Sequence, residues 1–204
     1  MEAKTNMQTN SEIRGYARYR LKGNWGNAIL VFIIFSVITG VTAMIPFLGW
    51  AAGIVIFGPM LFGINGFYLR LIKGEPISIE NIFFGFERCF GGSLIASILI
   101  AIYTFLWTLL FVIPGIIKSL SYSQVYFILN DNPDMSANQA ITLSRQMMNG
   151  YKGKLLMLHL SFIGWAILCT LTFGIGYLWL TPYIHTSLAK FYEEIKNNNQ
   201  IESE

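Results

Sequence analysis

Long apolar stretches alternate with short charged segments along the whole chain. The apolar stretches run from about residue 27 to 50, 51 to 72, 93 to 117, 119 to 129, 155 to 173 and 177 to 189. A helix needs roughly 20 apolar residues to cross the hydrocarbon layer of a membrane. The pattern therefore predicts an all-α fold, a polytopic membrane helix bundle of six transmembrane helices that forms a single domain over residues 1–204.

The charged residues fall on every second segment between these stretches. Arg, Lys, Asp and Glu concentrate in residues 1–26, 70–92, 130–154 and 190–204, whereas the chain around Pro46, Pro114 and Gly174 has almost none. Cytoplasmic loops of membrane proteins are enriched in Lys and Arg, so the charged set is predicted to face the cytoplasm across the cell membrane. Both termini are then cytoplasmic, with an amphipathic segment at 1–26, a tail at 191–204, and transmembrane hairpins at 27–72, 93–130 and 154–190.

Each predicted hairpin follows an inner amphipathic helix, so the chain repeats one unit three times. Pro46, Pro114 and the pair Gly174 and Gly176 mark the predicted outer turns, because Pro and Gly end helices. Small residues four apart on a helix let two backbones approach closely in lipid. Such residues predict helix packing in the first arm of each hairpin: Ser36, Gly40, Ser93, Ser97, Ala101, Ala166, Thr170 and Gly174.

The inner helices carry start signals and one apolar side. Ser78 is a predicted N-cap, and Ser136 with Gln139 fits a capping box. The helix from about residue 79 to 90 is predicted to lie in the membrane interface, because its large apolar residues share one side. These residues are Ile82, Phe83, Phe86 and Phe90. The alternative is that the inner helices only close the inner face of the bundle.

Four polar residues within the apolar stretches are predicted to form a layer roughly 7–10 Å inside the inner boundary, from a rise of about 1.5 Å per residue. They are Asn65, Gln124, His159 and His185. The layer either holds helices together by hydrogen bonds or lines a polar cavity in which the histidines take up protons. Lys118 is a predicted outer-side cation beside Pro114, or else a cation within a transport pathway.

Composition narrows the classes of function. The chain is 54% hydrophobic and only 12% charged, whereas soluble domains carry about 25% charged residues. The cluster of Arg14, Arg18, Arg20 and Lys22 suits the anionic inner leaflet, and no nucleic-acid partner is predicted. Hydrolase, phosphate-loop and metal motifs are absent from the sequence. The sequence therefore predicts no catalytic residue, no metal site, no cofactor and no enzyme activity.

Four short motifs carry a family resemblance. They are residues 21–25 (LKGNW), 113–118 (IPGIIK), 130–134 (NDNPD) and 159–165 (HLSFIGW). With them, the chain from about residue 11 to 195 resembles a bacterial integral-membrane family, domain of unknown function 975. The resemblance implies a multi-pass plasma-membrane protein, and it implies no catalytic residue because the family has none assigned.

Three hypotheses of function follow. The first is a non-enzymatic membrane module that binds a protein, peptide or lipid partner of the cell envelope. The second is a small oligomeric transporter or channel, and the third is an immunity protein against a membrane-active peptide. The expected partners are the lipid bilayer, a protein or peptide, and further copies of the chain.

Overall fold

The computed structural model describes residues 7–45 and 48–201, and every regular element in these residues is helical. This confirms the all-α prediction. The helices are α1 (Asn10–Leu21), α2 (Trp25–Met44), α3 (Leu48–Lys73), a 3-10 helix (Ile79–Phe83), α4 (Phe84–Arg88), α5 (Phe90–Leu110), α6 (Val112–Tyr122), α7 (Val125–Asp131), α8 (Ala137–Met147), α9 (Lys152–Leu160), α10 (Ile163–Leu171) and α11 (Tyr177–Ile201).

Five helical segments of the described chain are long and apolar enough to cross a membrane. They are Trp25–Thr42, Ala52–Lys73, Phe90–Leu110, Val112–Asp131 and Lys152–Leu171. This number of apolar helices is compatible with a membrane protein. Helix α11 is apolar only in its first half, because it continues past the predicted boundary at Ala189 through Lys190, Glu193 and Lys196.

The second of the predicted outer turns corresponds to a helix break that lies three residues before its predicted position. The predicted break at Pro114 is wrong, because α5 ends at Leu110 and α6 begins at Val112, with extended Phe111 between them. Pro114 therefore stands in the first turn of α6, where a helix needs no amide donor. The shift lengthens the return segment to Val112–Asp131, which has 20 residues and is long enough to span.

The other two turns differ in how far the structure describes them. Pro46 lies outside the described residues. At the third turn α10 ends at Leu171 and α11 begins at Tyr177, which confirms the break predicted at Gly174 and Gly176. Gly174 has a φ of +86°, in the left-handed region that glycine adopts without steric cost.

The predicted helix from residue 79 to 90 is divided into three parts. A 3-10 helix ends at Phe83, α4 ends at Arg88, and Cys89 separates α4 from α5. The segment runs against α3 so closely that a Cβ atom on Gly63 would meet the backbone of Ile82, and one on Gly85 would meet the backbone of Pro59. The two glycines let the segment and α3 pack backbone to backbone.

The core lies where short helices cover parts of the long ones. This packed layer consists of α1, the 3-10 helix, α4, α7 and α8, with residues 58–72 of α3 and 180–195 of α11. Asp131 joins three of its helices, because its carboxylate accepts hydrogen bonds from Lys73 at 2.7 Å, Lys196 at 2.6 Å and the Tyr192 hydroxyl at 2.8 Å. Burial raises the pKa of Tyr192, so this hydroxyl keeps the proton that it donates.

Candidate functional site

The four residues of the predicted polar layer use their polar atoms separately. Asn65 donates to the carbonyl of Leu61 in its own helix, and His159, which is exposed, donates from Nδ1 to the carbonyl of Leu155. In residues 7–45 and 48–201 no hydrogen bond joins two of the four side chains. No direct hydrogen bond among the described residues therefore links the four side chains, and the polar layer stays a prediction.

Gln124 and His185 are the two members of this set with an unpaired buried atom. Gln124 is buried, donates from Nε2 to the Ser123 hydroxyl at 2.7 Å, and leaves its Oε1 atom without a partner. The His185 ring stacks on the Tyr68 ring with centroids 5.3 Å apart, and its buried Nδ1 atom has no hydrogen-bond partner. The Gln124 Oε1 and His185 Nδ1 atoms therefore stabilise no neighbour by a hydrogen bond.

The predicted packing residues lie in different surroundings. Ser93 is fully buried, and its backbone and the Ser97 hydroxyl lie against Gly58 of α3. Ser36 and Gly40 are exposed, and a Cβ on Gly40 would meet nothing within 4 Å. Ala101 and Thr170 are also exposed, whereas Ala166 and Gly174 are half-buried. Close packing is thus observed at Ser93 and Ser97.

The predicted interfacial side is split by the contact with α3. Ile82 is completely buried against α3. Phe83, Phe86 and Phe90 are exposed, and the rings of Phe86 and Phe90 lie 6.3 Å apart. Three of the four residues therefore form an exposed aromatic surface beside a core residue.

Lys118 has neighbours on two sides. Its ammonium stands 4.4 Å from the centre of the Trp107 ring, four residues before the turn at Phe111. It also lines a polar groove of about 300 Å³ together with Arg145 and Lys152. The outer-side position of Lys118 stays a prediction.

One groove of the structure is apolar with a basic end, and its residues come from α1, α2, α10, α11 and the turn between α10 and α11. It has a volume of about 490 Å³. We call it the Arg14–Arg18 groove, and it is lined by Arg14, Arg18, Trp25, Trp165, Leu168, Cys169, Thr172, Gly176, Trp179, Leu180 and Tyr183. Most of the lining is therefore aromatic or aliphatic, and its two charges have the same sign.

Helix α1 positions the two arginines on one side. Its N-terminus is a capping box, in which Thr9 accepts from the Glu12 amide and the Glu12 carboxylate accepts from Thr9. These hydrogen bonds from Thr9 lower the pKa of Glu12, so the box is charged at neutral pH. Arg14 and Arg18 are four residues apart and share a helix face, next to the face of the buried Ile13 and Ala17.

The arginine side chains reach across to the helices that form the groove. Arg14 donates from Nη1 to the carbonyl of Ser161 at 3.5 Å, between α9 and α10, and its guanidinium lies 6.0 Å from the Phe162 ring centre. The Arg18 guanidinium lies 5.9 Å from the ring centre of Tyr183 in α11. Neither arginine forms an ion pair with a carboxylate in the part of the chain that the structure describes.

This arrangement suits a ligand that has an anion at one end and an apolar body. Guanidinium groups form strong hydrogen bonds to carboxylate and phosphate oxygens. The exposed Trp165 and Trp179 side chains and Leu168 offer an apolar surface beyond the arginines. The sequence showed a basic cluster at residues 14–22 but not the groove. The lining residues of α1 are more than 140 positions away along the chain from those of α10 and α11.

The comparisons with known proteins agree with the motifs. No curated protein and no solved structure matches the chain. A family model described as "Protein of unknown function (DUF975)" matches residues 7–119 and 109–199. These matches cover most of the chain and confirm the resemblance drawn from the four motifs. The protein belongs to the DUF975 family.

Proposed function

We propose that the protein is a non-enzymatic membrane protein that binds an anionic amphiphile, a lipid with a phosphate headgroup, in the Arg14–Arg18 groove. The observation that carries the proposal is the pair of arginines without carboxylate partners at one end of an apolar groove of about 490 Å³. The phosphate binds the guanidinium groups, and the acyl chain lies along the aromatic lining.

The position of Arg14 supports an anionic rather than a neutral ligand. Arg14 and Arg18 lie on α1, one of the short helices of the packed layer, and Arg14 donates to the Ser161 carbonyl where α9 ends. Basic side chains at the cytoplasmic surface attract the anionic headgroups of the inner leaflet. A phosphate in the groove supplies the counter-charge that the described residues lack.

The apolar lining explains why the headgroup decides selectivity. Moving an acyl chain from the bilayer into the groove gains little hydrophobic free energy, because lipid tails are as apolar as the protein surface. Hydrogen bonds to a charged group contribute about 1.5–3 kcal/mol each. Selection between lipids therefore depends on the two arginines, while the aromatic side chains orient the chain.

The proposed topology has six spans in three hairpins, with the first half of α11 as the sixth. Lys and Arg concentrate before α2, after α3, around α8 and in the second half of α11. By the positive-inside rule, these segments and both termini face the cytoplasm of a bacterial plasma membrane. The amphiphile is then taken from the cytoplasmic leaflet.

The lining of the groove favours binding over catalysis. None of its lining residues in the described chain is a carboxylate or a histidine, the side chains that most often act as general bases. Cys169 and Thr172 are present without such a base beside them in the lining. The groove thus holds a ligand without a group to activate a nucleophile.

Lipid retention tests the proposal. Wild-type protein, released from nanodiscs of equal phosphatidylglycerol and phosphatidylcholine into a native mass spectrometer, should retain phosphatidylglycerol preferentially. The double variant Arg14→Gln/Arg18→Gln should lower that preference at least about tenfold, since 1.4 kcal/mol corresponds to a factor of ten. The control Lys22→Gln removes an exposed charge outside the groove lining and should keep the preference. Equal preference in all three proteins would reject the proposal.

A further inference from the structure

A second basic groove lies where α6, α8 and α9 meet, apart from the Arg14–Arg18 groove. Lys118 of α6, Arg145 of α8 and Lys152 of α9 line it, around a volume of about 300 Å³. None of its lining residues is acidic. In the described part of the chain none of the three cations forms an ion pair with a carboxylate.

The three positive charges oppose one another unless an anion lies between them. Like charges in one groove repel, and because most of the lining residues are exposed, the repulsion is strongest at low ionic strength. Lys118 is half-buried, and its ammonium is held 4.4 Å from the Trp107 ring centre. The ammonium of Lys118 thus has an aromatic ring as a neighbour and no carboxylate to neutralise it among the described residues.

The remaining groups of the groove also suit an anion. Thr142, Gln146 and Asn149 add hydroxyl and amide donors to the lining. Lys152 is the first residue of α9, a helix of nine residues, so the positive end of the helix dipole lies at the groove. Three cations, three neutral donors and a helix start therefore converge on one polar volume.

We infer that the Lys118–Arg145–Lys152 groove binds a phosphate-bearing anion, at a site separate from the proposed lipid groove. Its polar lining distinguishes it from the Arg14–Arg18 groove, whose lining is mostly apolar. The phosphate comes either from a water-soluble phosphate compound or from the headgroup of a phospholipid. Bound anion offsets the repulsion and stabilises the junction of the three helices.

Thermal unfolding in phosphatidylcholine nanodiscs tests the soluble source, with inorganic pyrophosphate as the probe and sodium chloride at matched ionic strength as the reference. Pyrophosphate should raise the melting temperature of the wild type by roughly 2–4 °C, because it binds the native state. Arg145→Gln changes an exposed residue and should abolish this rise, as should Lys118→Gln. Arg145→Gln should also melt at a higher temperature than the wild type in low salt without phosphate, since one repelling charge is gone.

Phosphatidic acid nanodiscs test the lipid source by native mass spectrometry. Because the Arg14–Arg18 groove is also proposed to hold a phosphate lipid, the readout is the phosphatidic acid that Arg14→Gln/Arg18→Gln still retains. If adding Arg145→Gln or Lys118→Gln removes this remaining lipid, and pyrophosphate has no effect, the phosphate belongs to a lipid and the site is supported. The double variant Arg14→Gln/Arg18→Gln should leave the pyrophosphate and phosphatidic acid responses at the Lys118–Arg145–Lys152 groove unchanged. A failure of this inference is thereby distinguished from a failure of the proposed function. If neither probe depends on Arg145 and Lys118, the inference is overturned.

Discussion

Two of the candidate spans, α3 and α5, are similar in length and apolar character but differ in what surrounds them. In an 18-residue apolar stretch of the Ala52–Lys73 segment of α3, 61% of the residues are buried inside the protein, against 11% in the corresponding stretch of Phe90–Leu110. Helix α3 is covered by the 3-10 helix, α4 and α7, whereas the far half of α5 exposes its apolar side chains. Apolar sequence alone therefore does not distinguish a helix that is core from one whose surface is left for lipid.

The burial of α3 and the exposure of α5 indicate where this fold obtains its stability. Lipid tails are as apolar as leucine, so burying apolar side chains in a membrane protein adds little unless the packing is close. Close packing is found in the packed layer, where Gly63 and Gly85 bring backbones together. The exposed arms, residues 33–45, 101–117 and 163–175, are mostly exposed, and the close contact of Gly115 with Thr108 joins α5 and α6 to each other only.

The largest expected effect compares two leucines. Leu129 of α7 is completely buried, whereas Leu109 of α5 is 73% exposed. Leu129→Ala should lower the free energy of unfolding by about 2–5 kcal/mol, since it leaves a cavity in the packed layer. Leu109→Ala should change it by no more than about 0.5 kcal/mol. Unfolding in mixed micelles measures the free energy of unfolding of both variants. Equal losses in the two variants would contradict the difference in packing between the two regions.

A smaller effect is expected from two glycines. A Cβ on Gly63 would meet the backbone of Ile82, whereas Gly164 of α10 has nothing within 4 Å. Gly63→Ala should cost about 1–3 kcal/mol through overpacking. Gly164→Ala should be neutral or stabilise α10 slightly, because alanine favours helix over glycine. The same unfolding experiment applies, and a tolerated Gly63→Ala would show that the backbone contact is dispensable.

The smallest expected effect is a pH dependence at the edge of the packed layer. Hydrogen bonds from Thr9 lower the pKa of Glu12, so its stabilising contribution is present at neutral pH and fades as the pH falls through that lowered value. Hydrogen exchange in α1 should be faster in Glu12→Gln than in the wild type at pH 7, and the difference should shrink near pH 3. A difference that stays constant with pH would show that the carboxylate charge has no role in the cap.

Local signals in the sequence predicted the local structure well. The predicted capping box at Ser136 and Gln139 and the N-cap at Ser78 are confirmed. Both depend on residues within a few positions of each other, which sequence displays directly. Pro114 was misassigned because proline ends one helix and begins another with equal ease, and the sequence does not show which of the two occurs.

Long-range contacts account for what the sequence did not predict. The groove at Arg14 and Arg18 forms because α1 meets α10 and α11, and Lys118 joins Arg145 because α8 packs along α6 and α7. The sequence did contain one signal. Residues 14 and 18 share a helix face, so their side chains are directed at the same neighbouring elements. Which elements these are follows only from the tertiary structure.

We expect the exposed arms to face lipid and the short helices of the packed layer to border water. Nitroxide labels at Ile102 and Ile167 in the exposed arms, and at Glu87 and Gln139 in the short helices, test this expectation in bilayers. Cys89 and Cys169 are first replaced by alanine. All four residues are exposed in the structure. We expect oxygen, which concentrates in lipid, to relax the labels at 102 and 167. A water-soluble nickel complex should relax the labels at 87 and 139. Strong relaxation of labels 102 and 167 by the nickel complex would contradict it.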